Sequence, residues 1–284
     1  MGIYSDILLT VDYDRTLTAP DSSIPERNLE AIRYFMENGG AFTVNTGRSV
    51  PMARFFSEKV ETNAPLLLYN GSAAYDKNTR QLSLLHPIQM DLWQTVEELL
   101  ALFPDLTVEV QGVDAHYNFI DGPRWNDFCD YNHCTRATAK PGQDLGPFLK
   151  FSLYGQFHDS TVNGMFQATP EEMARMDAAE QLLKEHYAGK VEVFRAAPRI
   201  IDVHAKGVSK NRAARELQQA LGRKILVCVG DAANDLPMLE GADFSFVPSD
   251  AELADRFENV CKCADGAVAD VIYEKIPEIL KNKA

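Results

Sequence analysis

Four times in this chain a short, largely apolar run stops abruptly at a polar cluster. Ile7-Leu8-Leu9-Thr10-Val11 runs into Asp12-Tyr13-Asp14-Arg15-Thr16. Ala41-Phe42-Thr43-Val44 runs into Asn45-Thr46-Gly47-Arg48. Leu66-Leu67-Leu68-Tyr69 ends at Asn70-Gly71, and Ile225-Leu226-Val227-Cys228-Val229 ends at Gly230-Asp231. Such runs have the pattern of strands buried on both faces. Stretches of helical character separate them. One spans 25–38, with Ser23 and Glu26 at capping-box spacing, Pro25 near the first turn and Gly39-Gly40 after it. Others run from 209 to 221, from about 235, and from about 266 to the end. Strand alternating with helix restricts the fold to an α/β class, a parallel sheet covered by helices, with 66–69 expected as its third strand.

Between residues 84 and 203 the rhythm changes. A helix is expected over 90–102, alternating strands over 106–110 and 116–120, and a capped helix from Thr169-Pro170-Glu171-Glu172 to near Gly189. Runs at 191–194 and 199–203, separated by Ala-Ala-Pro, read as a hairpin. The simplest organisation is an α/β core built from 1–83 and 204–284, interrupted by an α+β domain at 84–203. A length of 284 residues has room for two domains, and 45% hydrophobic with 24% charged residues excludes intrinsic disorder. The net charge of −13, from 28 Lys+Arg against 41 Asp+Glu, argues against a nucleic-acid partner, because phosphate backbones need basic residues. No apolar run approaches the roughly 18 residues of a membrane span. Residues 1–6 carry no basic segment leading into an apolar one, so a cytoplasmic protein is expected. Five cysteines make a disulfide framework improbable in so long a chain. Cys129, His133 and Cys134 form a C-x3-H-C cluster and Cys261-Lys-Cys263 a close pair. Neither has structural-zinc spacing, and both read as incidental thiols.

In an open parallel sheet, ligands bind beyond the carboxyl ends of the strands. Asp12 with Asp14, Thr46-Gly47-Arg48, Lys210, and Gly230-Asp231-Ala232-Ala233-Asn234-Asp235 are then expected at one edge. Carboxylates crowded together repel, and a divalent cation resolves the repulsion. Oxygen-only ligands suit Mg²⁺. Lys210 and Thr46 add donors for an anion, which points to a phosphoryl group. One carboxylate is left to act as nucleophile.

With these motifs in this order, the sequence resembles the haloacid dehalogenase superfamily of phosphohydrolases. More narrowly it resembles the Cof-type subfamily, with a large cap inserted after the second motif. Asp12-Tyr13-Asp14-Arg15-Thr16-Leu17 matches the D-x-D-x-T-L motif, Thr46-Gly47-Arg48 the T-G-R motif, and Gly207-Val208-Ser209-Lys210 the lysine motif. Gly230 to Asp235 matches G-D-x-x-N-D, and Asn70-Gly71 a recurrent Asn-Gly. The resemblance implies a Rossmann-like parallel-sheet core with an inserted α+β cap. It implies Asp12 as nucleophile and Mg²⁺ ligand, and Asp14 as general acid and base whose carbonyl also ligates Mg²⁺. Thr46 and Lys210 would hold the phosphoryl group, with Gly47, Arg48, Asn70, Gly71 and Asn234 as further substrate or phosphate contacts. Asp231 and Asp235 complete the metal set. The implied activity is Mg²⁺-dependent hydrolysis of a small phosphorylated metabolite, a sugar phosphate first, by a monomer or homodimer. A phosphomutase of the phosphomannomutase type and a catalytically weak phospho-ligand-binding regulator are the alternatives.

The pattern has departures. Arg15 stands where the family usually has Gly, which suggests an ordinary backbone or mild strain and a cation near the site. Asn45 stands where Ala is common. Lys206 is a second candidate for the motif lysine, though Lys210 follows the Gly-Val-Ser of the pattern. In the inserted domain Tyr117, Arg124, Trp125, Tyr131, His133 and Arg199 are polar or aromatic candidates for specificity, none selected by spacing.

Overall fold

The structure is a computed structural model that describes residues 2–119, 123–155 and 167–283. The chain divides into two compact units, one of Met1–Gly47, Ser57–Leu85 and Ser209–Ala284, the other of Arg48–Phe56 and His86–Val208. The second unit therefore takes in a helix, Val50–Phe56, that precedes the long insertion in sequence.

The first unit is built on a five-stranded parallel sheet in the order Glu258–Val260, Phe244–Pro248, Ile225–Val229, Ile7–Val11, Ala41–Val44. The two most central apolar runs are buried at every residue, as a sheet covered on both faces requires. Val11 is level with Val44 on one side and with Val229 on the other. Because the strands are parallel, Asp12, Asn45 and Gly230 leave the sheet in one row. Helix Lys210–Ala220 supplies Ala213, Ala214 and Leu217 to a core shared with Leu8, Leu226 and Val247. This is a Rossmann-like α/β arrangement.

Two local expectations are corrected. Leu66–Leu68 meets the parallel sheet only through a bridge between Asn45 and Leu67. Otherwise it starts a separate three-stranded antiparallel sheet with Ala73–Asp76 and Gln81–Ser83. The cause is the tight reversal at Tyr69–Gly71, where Asn70 (φ 54°) and Gly71 (φ 101°) adopt left-handed backbone and turn the chain straight back. The capping box at Ser23 and Glu26 does not form. Ser23 instead donates from its backbone N and its Oγ to Asp21 Oδ1 at 3.0 and 2.6 Å. An ionised acceptor two residues away outcompetes the helix end.

The second unit holds a six-stranded sheet in the order Val191–Ala197, Ile200–Ala205, Lys150–Gly155, Leu106–Gln111, His116–Asn118, Arg136–Thr138. All pairs are antiparallel except the last. Helices Leu92–Leu102 and Pro170–His186 give Val96, Leu99, Met176, Ala179 and Leu183 to an apolar core with Val108, Phe151, Leu153, Ile201 and Val203. Thr169 caps the longer helix with a full capping box, as its sequence predicts. Among the described residues no helix is long and apolar enough to cross a membrane, and all five cysteines are free.

Candidate active site

The row of residues leaving the first unit's sheet is tied down by one more step of the backbone ladder. Asp12 N donates to Val229 O at 2.9 Å, and Asn45 N to Val11 O at 2.8 Å. Asp12 is thereby fixed at the sheet edge with its side chain buried. Lys210 is the first residue of its helix, which Ser209 caps by accepting from Arg212 N at 3.2 Å. A cation at that end of a helix opposes the helix dipole. Two carboxylates offset this: Lys210 Nζ lies 2.5 Å from Asp12 Oδ1 and 2.6 Å from Asp235 Oδ1, and all three side chains are buried.

Asp235 is held from its other oxygen, which accepts from the backbone N of Asp231 at 3.0 Å and of Ala232 at 3.2 Å. This turn needs Gly230, since a Cβ there would lie 2.6 Å from Asp235 Cβ. Thr16 Oγ donates to Asp231 Oδ1 at 3.2 Å, linking the first motif to the last across the sheet edge. Asp12, Asp231 and Asp235 each offer a carboxylate oxygen, and these oxygens lie within 4.8 Å of one another.

The electrostatics follow from burial and crowding. Burial pushes the Asp12 carboxyl well above the usual range, with Lys210 opposing and Asp235 and Asp231 adding to the rise. Burial, then Asp235, pushes Asp231 up to about 7, while Lys210 and Thr16 pull the other way. Burial alone would lower the Lys210 ammonium, but Asp12 and Asp235 outweigh it and keep it charged. Three carboxylates thus face one ammonium. The all-oxygen donor set and the charge imbalance fit a hard divalent cation, which Asp12, Asp231 and Asp235 could hold.

Residues 9–272 match the model of the haloacid dehalogenase-like hydrolases. The chain belongs to that family. Among curated relatives of this haloacid dehalogenase-like hydrolase is the 5-amino-6-(5-phospho-D-ribitylamino)uracil phosphatase of Bacillus subtilis, 24% identical over 86% of this chain and 84% of its own. Another is the HMP-PP phosphatase of Serratia proteamaculans, 24% identical over 92% of each chain. A haloacid dehalogenase-like hydrolase from Bacteroides thetaiotaomicron shares the fold with a TM-score of 0.79 at 19% identity, covering 95% of this chain and 98% of its own. A subclass IIB sugar phosphatase does so with a TM-score of 0.73 at 15% identity, covering 96% and 99%. The chain is an enzyme, and its relatives put it among the family's phosphatases.

The remaining motif residues of this hydrolase are placed as follows. Thr46 is buried, donating from its N to Leu67 O at 2.9 Å and accepting at its O from Asn70 N at 3.0 Å. A Cβ on Gly47 would sit 2.9 Å from Asn70 Oδ1, so the second motif and the Asn-Gly turn touch. A Cβ on Gly71 would come within 2.4 Å of the Ser209 carbonyl, so glycine lets the turn lie against the start of the Lys210 helix. Asp14 is half-buried in the loop after Asp12, and Asn234 half-buried on the turn Ala233–Asp235. Arg48 falls in the second unit. Lys206 falls in the second unit, its Nζ 2.8 Å from Glu192 Oε1 and its side chain more than half exposed.

Arg15 resolves one departure. It takes left-handed backbone at φ 59°, the strained form for a side chain of this kind, and its charge helps lower Asp231. Asn45 resolves another and was missed as a site residue: its amide donates to the Lys210 carbonyl at 2.9 Å and so fixes the lysine's backbone. The sequence signal was the Asn itself, but its partner is 165 residues away. Thr16 was missed as a site residue for the same reason. Of the candidates in the second unit, Tyr117 is part of the core, and Arg199 is buried and paired with Glu172 at 2.6 Å. Tyr131 is exposed, and His133 packs on Phe55 with ring centroids 4.0 Å apart. The side chains of Arg124 and Trp125 lie outside the described residues.

Proposed function

We propose that this enzyme is a Mg²⁺-dependent phosphatase of small phosphorylated metabolites, working through an aspartyl-phosphate on Asp12. The observation that carries this reading is Lys210 seated between Asp12 and Asp235 with Asp231 alongside. A buried carboxylate held by an ammonium, rather than by backbone donors, is oriented and still able to present its other oxygen. In the first step that oxygen bonds to phosphorus while the ester P–O bond breaks, and Asp14 gives its proton to the leaving oxygen. In the second step Asp14 takes a proton from water, whose oxygen displaces phosphate and frees Asp12. Lys210 and Thr46 hold the phosphoryl oxygens, and Gly47, Arg48, Asn70, Gly71 and Asn234 line the phosphate or substrate side. A bound Mg²⁺, held by Asp12, Asp231, Asp235 and the Asp14 carbonyl, supplies charge neutralisation on the phosphoryl group.

Sugar phosphates are the substrate class we favour. One fold neighbour is a sugar phosphatase, and one relative is a phosphatase of 5-amino-6-(5-phospho-D-ribitylamino)uracil. That the curated relatives are phosphatases favours water over a second sugar as phosphoryl acceptor. In this reading 1–83 with 204–284 is the hydrolase core and 84–203 a cap that selects the substrate. The test is phosphate release from a panel of sugar, nucleotide and cofactor monoesters, with Mg²⁺, with EDTA, and with Asp12→Asn. Release should need Mg²⁺ and should fall about 10⁴-fold or more in the variant. Release that persists in EDTA or in Asp12→Asn overturns the mechanism.

A further inference from the structure

Away from the carboxylate cluster, the second unit buries another set of ligating side chains. His116 stands on strand His116–Asn118, Cys129 on helix Pro123–Tyr131, and Cys134 just beyond that helix. They offer a ring nitrogen and two sulfurs within 4.8 Å of one another, all buried. Cys134 Sγ lies 3.7 Å from His116 Nδ1, and Glu109 Oε1 lies 3.2 Å from the same nitrogen. In a tetrahedral zinc site, with Zn–S about 2.3 Å and Zn–N about 2.0 Å, adjacent sulfur and nitrogen sit about 3.5 Å apart. The separation of Cys134 Sγ and His116 Nδ1 is close to that edge.

The surroundings point the same way. His116 Nε2 is 2.7 Å from Ser49 Oγ, which turns Nδ1 toward Cys134 and Glu109. A ligating histidine characteristically has its other nitrogen fixed by such a bond. Met52, Tyr154, Ala197 and Ile200 form an apolar sleeve with the two cysteines, and Phe128 packs against it.

We propose that His116 Nδ1, Cys129 Sγ and Cys134 Sγ form a site for a thiophilic divalent cation of the zinc class. Binding releases the thiol protons of Cys129 and Cys134 and any proton on Nδ1. Ser49 directly follows Arg48, so the site pins Arg48–Phe56 to the sheet of its own unit through His116. Local spacing hid it. The ring near the two cysteines is His116 rather than His133, and the pairing of strands Leu106–Gln111 and His116–Asn118 brings it beside Glu109.

The test uses the reduced full chain, stripped of metal and kept in saturating Mg²⁺. Titration with Co²⁺ should saturate at one ion per chain with intense near-ultraviolet thiolate-to-metal absorption, which an all-oxygen site does not give, and Zn²⁺ should displace it. X-ray absorption at the zinc edge should show two sulfur neighbours at about 2.3 Å. Cys134→Ser should weaken binding at least tenfold, and Cys261→Ser/Cys263→Ser should leave both signals intact. Absence of the thiolate band, a zinc shell of oxygen and nitrogen alone, or loss of the signal in the Cys261/Cys263 variant overturns the proposal. Should Cys134→Ser fail to fold, the zinc shell of the wild-type chain and of the Cys261/Cys263 variant decides.

Discussion

The two units bury their charges in opposite ways. In the first, the carboxylates sit just past strand ends and the lysine at a helix start, so that three carboxylates share one ammonium. In the second, Lys150, Asp202 and Glu109 stand on the strands themselves and are met from neighbouring strands of the sheet. Lys150 meets Asp202 at 2.6 Å, Ser152 Oγ donates to Asp202 at 2.7 Å, and Tyr154 OH donates to Glu109 at 3.2 Å. Register does this, since Ser152 lies opposite both Asp202 and Glu109. A balanced network on strand faces rigidifies a sheet. An unbalanced cluster at strand ends retains free charge to spend on a ligand.

The same substitution in each region should separate these roles. Lys210→Met should lower kcat by about 10²–10³-fold, the usual loss when a preorganised charge on the transition state is removed. It should also destabilise the chain, and Mg²⁺ should restore part of that stability by binding the carboxylates left behind. Thermal melts with and without Mg²⁺, beside steady-state kinetics, check both. Lys150→Met should instead cost about 3–5 kcal/mol of stability by leaving Asp202 buried without its cation. Mg²⁺ should not rescue it, and kcat per folded molecule should stay within a few fold. A Lys150→Met enzyme of full stability and lost kcat would break the contrast.

A smaller effect tests the strand-face network by pH. Burial, then nearby Lys150, holds His204 neutral, well below its ordinary pKa. Glu192 and Lys150 lie opposite it on the neighbouring strands, and Phe194 packs edge-on to its ring. In the unfolded chain the imidazole takes up a proton near pH 6.5, so the unfolded state binds more protons below that point. Stability contributed by neutral His204 is therefore full above about pH 6.5 and falls as pH drops toward 5, by up to about 1.4 kcal/mol per pH unit. Urea midpoints at pH 6.5 and 5.5 should differ less in His204→Gln than in the wild type. The smallest effect expected is at Arg15, whose φ of 59° suits glycine. Arg15→Gly should stabilise the chain by up to about 1 kcal/mol, read as a shift in urea midpoint, and a loss of stability would show that the guanidinium matters more than the strain.

The sequence showed the first unit's sheet because its strands are short apolar runs and its polar clusters are contiguous. Asp12, Lys210, Asp231 and Asp235 were legible for that reason, each beside a strand end or helix start. The strand Lys150–Gly155 was not legible, since Lys150 and Ser152 interrupt its apolar pattern, yet every residue in it is buried. Its polar residues are inside because Asp202 is there to meet them, which no local window reveals. The Asn70-Gly71 pair that ends the third apolar run is plain in the sequence, but the sheet it builds is not, because Ala73–Asp76 and Gln81–Ser83 are too short to signal strands.

What the sequence determined by itself is the α/β class, the parallel pairing of three of the first unit's four apolar runs, and the carboxylate and lysine chemistry of the motifs. Those are properties of neighbours in the chain, set by side-chain periodicity and by which residues end a strand. Tertiary structure alone decided that Asn45 holds the Lys210 backbone, that Thr16 holds Asp231, and that His116 rather than His133 joins Cys129 and Cys134. Each of these depends on register between segments distant in sequence. A hydrogen bond or a shared ligand position is fixed to within a few tenths of an ångström only after the sheet has aligned them.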